Sequence, residues 1–202
     1  MPAPTRTTHR DALLDAAKRL LRERDYGNIT ARDLVEASNT NLGSIGYHFG
    51  SKDALLNEAI GQALEEWTEA IGGATRADPD ATPMERMRSS WRAVLDEFEQ
   101  VRPYFLAFIE ALPRSARSPE LAERLAAHYD RQRERVAGMF GDALDADEAR
   151  HLATFMIAIT DGLLLQSFVD PEHRPTAVEL ASAMGKTLAA TLNRPRSPRT
   201  TL

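Results

Sequence analysis

Apolar positions in this chain recur every three or four residues and almost never in strict alternation, the mark of amphipathic helices rather than strands. Leu13, Ala16, Ala17, Leu20 and Leu21 make one stripe; Leu56, Ile60, Ala63, Trp67 and Ile71 make another. Helix starts are frequent. Thr8/Asp11, Thr30/Asp33, Thr82/Glu85 and Asp145/Glu148 each pair a capping residue with an acid three positions on, able to satisfy orphan backbone N–H groups and to complement the helix dipole. Ser51 and Ser118 can cap two more helices, and Pro119 suits a first helical position. The pattern predicts helices over about 8–24, 31–37, 42–48, 52–72, 83–100, 102–112, 119–142, 146–169 and 176–192. Connections are expected at Gly72–Ala81, Pro113–Ser118 and Asp170–Pro175, and the last ten residues, NRPRSPRTTL, read as a disordered basic tail. The fold class is all-α.

Composition narrows the functional classes. With 202 residues, 43% hydrophobic and 27% charged, the chain can bury a core. It has no Cys, which excludes a disulfide scaffold, a thiol nucleophile and any Cys-ligated metal. The start, MPAPTRTTHR, lacks the apolar run of a signal peptide. The longest apolar stretch, Leu152–Val169, is interrupted by Asp161 and Gln166, which argues against a membrane span. A soluble cytoplasmic protein is expected. The net charge of −5 divides unevenly: residues 1–53 hold 8 basic and 7 acidic side chains, whereas residues 54–202 hold 17 and 23. A neutral-to-basic head on an acidic body permits nucleic-acid binding, because the local patch decides it.

The helices predicted over 31–37 and 42–48 are about two turns each, too short to stand alone. Joined by the four-residue turn Ser38-Asn-Thr-Asn41, they fit a helix-turn-helix, with Val35 and Ile45 where the two would face each other. Asn39 occupies the turn position that needs a left-handed backbone, which Asn tolerates best after Gly, and Asn41 can cap the next helix. A plain helical corner would share these features. The outward residues tip the balance, because Leu42-Gly-Ser-Ile-Gly-Tyr-His-Phe49 is poor in helix formers. Gly43 and Gly46 each cost about 1 kcal/mol of helix propensity, a cost with a purpose if another backbone approaches closely. Ser44, Tyr47 and His48 offer groups for phosphates or base edges, and Ser51-Lys52-Asp53 opens the following helix with free N–H groups and an ammonium.

The segment Thr30–Leu56, TARDLVEASNTNLGSIGYHFGSKDALL, resembles the TetR family of transcriptional regulators. Thr30, Gly43, Ser44, Ile45, the Tyr47-His48-Phe49 run, Ser51-Lys52 and Leu55 carry the likeness, and in the body so do Ala111–Pro113, Ser118–Leu121 and Asp161–Leu164. The resemblance implies an all-α homodimer: a three-helix DNA-binding domain over 1–53, then a helical effector-binding and dimerisation domain over 54–192, with about nine helices in all. It implies DNA-contact or supporting roles for Thr30, Arg32, Gly43, Ser44, Tyr47, His48 and Lys52. Three positions depart from the family pattern. Asn39 replaces a common turn Gly, Leu42 sits where a polar or basic residue is frequent, and Gly46 sits where an aromatic often meets phosphate, leaving Tyr47 to carry that contact. Arg6 and Arg10 either reach an adjacent groove from the N-terminal arm or are simply solvated.

In the body, an apolar helix at Leu152–Val169 must be covered on more than one side, and Ala181, Gly185 and Ala189 would let a last helix approach closely. The resemblance implies that the last two helices of each chain form a four-helix dimer interface. Trp91, Phe98, Phe105, Phe108, His128, Tyr129, Gln132, Phe155 and Asp161 are the candidates for an effector pocket, mostly apolar with a few polar anchors. An enzyme is not expected. The five His are scattered, and Asp147 and His151 share a helix face without further metal ligands. No Gly-rich phosphate loop or serine elbow is present, and no cofactor is expected. The expected function is a sequence-specific DNA-binding regulator, a repressor released by a small, largely apolar effector. Its partners would be an inverted-repeat operator in double-stranded DNA and a second copy of itself. The alternative is a helical ligand-binding or adaptor protein without DNA binding, favoured by Leu42 and Gly46.

Overall fold

Side-chain caps decide where the helices begin. The computed structural model describes residues 8–116, 118–139 and 144–192; Arg6 and the tail at 193–202 lie outside the described residues. Along the chain run α1 (His9–Glu23), α2 (Ala31–Ser38), α3 (Leu42–Phe49), α4 (Lys52–Thr75), α5 (Pro83–Asp96), α6 (Phe98–Ser115), α7 (Pro119–Gly138), α8 (Ala146–Val169) and α9 (Ala177–Leu192), with 3-10 turns at Tyr26–Asn28 and Pro171–His173. The described residues contain no strand, so the fold is all-α. Thr8, Thr30, Thr82 and Asp145 each close a reciprocal capping box with the acid three residues on. A fifth such box opens α9, where Glu179 N–H donates to Thr176 Oγ1 at 3.3 Å and the Thr176 N–H and hydroxyl both donate to Glu179 at 2.8 Å. The Thr-x-x-Glu spacing announces it in the sequence.

Several expected boundaries move: α4 continues past Gly72 to Thr75, into the connection expected over Gly72–Ala81, and α7 ends at Gly138, short of 142. The break expected near residue 101 lies at Glu97, and α6 runs through Pro103 and Pro113 to Ser115, past the connection expected from residue 113. Pro103 removes a helical N–H, yet Phe98, Val101, Tyr104, Phe105, Phe108 and Ala111 are all buried along one side of α6. Burying that stripe outweighs one lost hydrogen bond.

The main core runs from the head into the body. Leu13, Leu34, Leu55 and Leu56, all fully buried, pack in one cluster with Phe105 and Phe108 of α6 and Leu164 of α8. The division expected after residue 53 thus meets the first turn of α4, a helix that packs against α1 and α3 on one side and α5, α6 and α7 on the other. A second cluster joins Trp91 of α5, Met156 of α8 and Ala177 of α9.

The small-residue stripe of α9 faces its own chain in part. A side chain added at Gly185 would come within 3.9 Å of Met84 at the start of α5, and α9 packs on α5. Ala189 has its side chain outside the described residues. Along α8, by contrast, Phe155, Ala158, Gly162, Leu165 and Val169 follow a 3-4 spacing on the less buried side, with Phe155 and Leu165 half exposed and Val169 largely so.

Candidate functional site

The Thr30/Asp33 box fixes α2: Asp33 N–H donates to Thr30 Oγ1 at 3.2 Å, and the Thr30 hydroxyl donates back at 2.6 Å. Those bonds, with Arg24 3.0 Å from the carboxylate, bring the Asp33 pKa down to about 2. The turn that follows rests on Asn39, whose φ of 51° is left-handed. Thr40 N–H then returns to Val35 C=O at 3.0 Å, and Asn41 Oδ1 accepts Ser44 N–H at 3.1 Å to start α3. Gly43 has a local reason: a Cβ there would crowd Asn41 Oδ1 to 3.1 Å, disturbing the cap. Gly46 has none, since a Cβ there would meet nothing within 4 Å among the described residues.

The helix turns Ile45 and Phe49 inward and leaves Leu42, Gly43, Gly46 and Tyr47 outward, Tyr47 at 85% exposure. His48 is half-buried, its ring 4.8 Å from that of Tyr47 and edge-on to it. Arg32 projects from the exposed side of α2. Two expectations need correcting. Ser44 does not point outward: it is buried beside Ile45, with its hydroxyl 3.4 Å from His9 Nδ1, because α3 lays this edge against the start of α1. Lys52 does not extend freely from the start of α4. Its ammonium donates to Ile29 C=O at 3.0 Å, lies 3.4 Å from Asp53 and faces the Tyr26 ring at 5.8 Å, while the side chain stays 30% exposed.

In the body, Phe105, Phe108, His128, Tyr129, Gln132 and Asp161 come together around a void of about 10 Å³, with Leu64 and Trp67 of α4 completing it. Tyr129 donates to Asp161 at 2.9 Å, and Gln132 Nε2 to Thr68 Oγ1 at 3.4 Å. Burial pushes the Asp161 carboxyl up, while burial and that same carboxylate hold the Tyr129 phenol above its ordinary value. Burial also takes His128 down to about 4, so its imidazole is neutral near pH 7. Trp67, Gln132 and Asp161 reappear on a second void of about 50 Å³ beside Met139 and Met156. An open groove of about 370 Å³ lies on the other side of Phe108 and His128, between α4, α6 and α7.

Three residues expected in the pocket are elsewhere. Trp91 is the centre of the second core cluster. Phe98 packs against Phe168 at 5.4 Å under the Arg174 guanidinium. Phe155 is 51% exposed on the outer side of α8, because α8 turns Met156 and Ile157 inward instead. Trp67, Thr68 and Gly61 were missed. In sequence Trp67 is one more residue of an apolar stripe, and only packing sets it between the cavities.

Head and body are tied through α6. Arg22 Nε donates to Tyr104 Oη at 2.6 Å, Tyr104 donates on to Lys18 C=O at 3.2 Å, and the Arg114 guanidinium lies 4.7 Å from the Tyr26 ring centre. The Tyr26 hydroxyl donates to Asn57 of α4 at 3.3 Å.

A short capped turn between two brief helices, with a small-residue second helix facing outward, defines a helix-turn-helix protein. The family profile described as bacterial regulatory proteins of the tetR family matches residues 13–59, and that described as the C-terminal part of BetI-type transcriptional repressors matches residues 83–193. The chain belongs to the TetR family of DNA-binding transcriptional regulators, which are not enzymes. Among relatives, the HTH-type transcriptional regulator BetI of Burkholderia thailandensis is 26% identical over 179 residues, covering 88% of this chain and 91% of that one. A transcriptional regulator from Pseudomonas aeruginosa PAO1 shares the fold with a TM-score of 0.66 at 22% identity, over 90% of each chain. So does the TetR family repressor AlkX from Dietzia sp. strain DQ12-45-1b, with a TM-score of 0.63 at 19% identity, over 93% of this chain and 97% of that one.

Proposed function

We propose that this regulator is a homodimeric repressor that binds an inverted-repeat operator and is released by a small, largely apolar effector held in the body. The observation that carries the DNA reading is the outer side of α3. Tyr47 is almost fully exposed, and Gly46 bears the helix penalty of glycine although nothing among the described residues occupies the space. A groove wall pressed against that side would use both. Arg32, Tyr47 and His48 are the proposed contacts, with Gly43 and Gly46 allowing close approach. Thr30, Ser44 and Lys52 act from behind by fixing α2, α3 and the start of α4, and the Lys52 ammonium, bonded to Ile29 C=O, keeps a further N–H for a phosphate.

A second copy fits the uncovered side of α8. By length and composition this helix could cross a membrane, with a mean hydropathy of 1.7 over its most apolar 18 residues, of which 22% are buried. Membership in a family of generally soluble, cytoplasmic regulators favours a partner helix as its cover. The effector reading rests on α6, which presents Phe105 and Phe108 to the cavities and Tyr104 and Arg114 to the head. A ligand that displaces α6 then biases the two heads against the operator spacing, and DNA weakens ligand binding by the same factor.

The test is footprinting of the purified protein on DNA upstream of its own gene. Protection of an inverted repeat with half-sites about 34 Å apart, or a multiple of that, is expected. Tyr47→Ala and Gly46→Leu are expected to weaken that protection, and equal protection by wild type and the double variant overturns the assignment of α3.

A further inference from the structure

The open groove between α4, α6 and α7 is lined in part by His128, whose ring carries a fully buried nitrogen left unmatched among the described residues. His128 is 5% exposed, and its Nδ1 has no hydrogen-bond partner among the described residues. Buried polar atoms almost always have one. This nitrogen faces Gly61 on the opposite side, where a Cβ would come no closer than 3.9 Å. Gly61 is therefore not required to avoid a clash. Gly61 lines the same groove, and a longer side chain there would extend over the imidazole.

The remaining lining chooses among ligand classes. Ile60, Phe108 and Leu125 give the groove an apolar floor, and the Phe108 ring lies 5.9 Å from that of His128. Every charged side chain that lines it is already engaged. Glu58 pairs with Arg10; Glu65 holds Arg131 at 2.6 Å and Arg135 at 3.2 Å; Arg124 holds Glu120 at 2.9 Å. An ion entering the groove would compete with these pairs for its counter-charge. A hydroxyl faces no such obstacle, since it both donates and accepts and so matches Nδ1 in either imidazole tautomer. The volume, about 370 Å³, lies near the lower end of small-molecule sites.

We infer that this groove binds an uncharged, ring-sized apolar molecule whose hydroxyl pairs with His128 Nδ1. The inference sharpens the effector reading and rests on it only for the consequence at the operator. Asn57 and Glu58, at the head end of the same groove, bond to Tyr26 and Arg10 of the head, so an occupant there lies beside two ties between head and body.

The experiment uses the full chain with ¹⁵N-labelled histidine and four probes of similar size: phenol, toluene, benzoate and benzylammonium. Phenol is expected to shift the His128 Nδ1 resonance and to bind about tenfold more tightly than toluene, the margin of one net hydrogen bond. The two ions are expected to bind no better than toluene. His128→Phe should erase the preference for phenol over toluene, and Gly61→Val should abolish phenol binding while leaving operator binding intact. Equal affinity for phenol and toluene, tighter binding of either ion, a His128 signal that no probe moves, or phenol affinity unchanged in Gly61→Val would each overturn the site. Should phenol bind at His128 and leave operator affinity unchanged, the site stands and the effector reading falls.

Discussion

The head and the body solve the burial of polar groups in opposite ways. In the head, the capping boxes of α1 and α2, the Asn39 turn and the Asn41 cap account for the ends of three short helices, and the interior is a leucine-rich core. In the body, the helices run from 14 to 24 residues and the interior is interrupted by Trp67, His128, Gln132 and Asp161. All four buried side-chain atoms without a partner among the described residues, on Trp67, Trp91, His128 and Arg135, belong to this half. A region with satisfied interior groups can act only through its surface. Of the four residues, Trp67 and His128 border cavities of the body, whereas Trp91 lies in a packed core cluster.

The contrast between head and body can be broken at several points. The largest effect is expected where the two regions share a core. Leu56→Ala removes a fully buried side chain at their junction and should cost roughly 2–5 kcal/mol in urea unfolding at fixed protein concentration. A loss below about 1 kcal/mol would mean that the junction is loosely packed.

Next comes the pH dependence of the body. The folded pKa of His128, about 4, lies below its ordinary value of 6.5, so between those values the unfolded chain binds more protons. This contribution to stability is complete above pH 6.5 and is lost as pH falls toward 4. Burial is the main cause; Arg131 and Arg135 act in the same direction and Glu65 opposes them. Between pH 7 and pH 5 the loss from this group should be about 2 kcal/mol, and His128→Phe should lack it in parallel denaturation series.

Smaller effects belong to the head. Thr30→Ala breaks the capping box and should cost about 1 kcal/mol in urea unfolding. The Asp33 carboxyl should rise from about 2 toward its ordinary value in an NMR titration, because the hydroxyl and backbone N–H of Thr30 do most to stabilise the carboxylate. Tyr47→Ala should change stability by less than about 0.5 kcal/mol, since the side chain packs on little but His48. A larger loss would mean that Tyr47 is structural, and would weaken its assignment to DNA.

Much of the head was legible because its determinants are local. Thr30 and Asp33 lie one helical turn apart, Asn39 carries its own backbone preference, and Asn41 caps the helix that it precedes. The direction of Ser44 was not legible. Whether a residue one step from Ile45 faces outward depends on how α3 tilts against α1, and no local spacing records that tilt. Lys52 is similar, since the carbonyl it meets is 23 residues away.

By itself, then, the sequence determined the all-α class, nearly every helix start, the turn between α2 and α3, and the family, because caps, turns and motifs are set by neighbours along the chain. Tertiary structure alone decided that α6 carries through Pro103, that Phe155 faces out, and that Trp67 and Gly61 flank His128 on two sides. The physical reason is that aromatic and apolar side chains recur at helical spacing whether they fill a core, line a cavity or await a partner. Only the packing of distant helices separates the three.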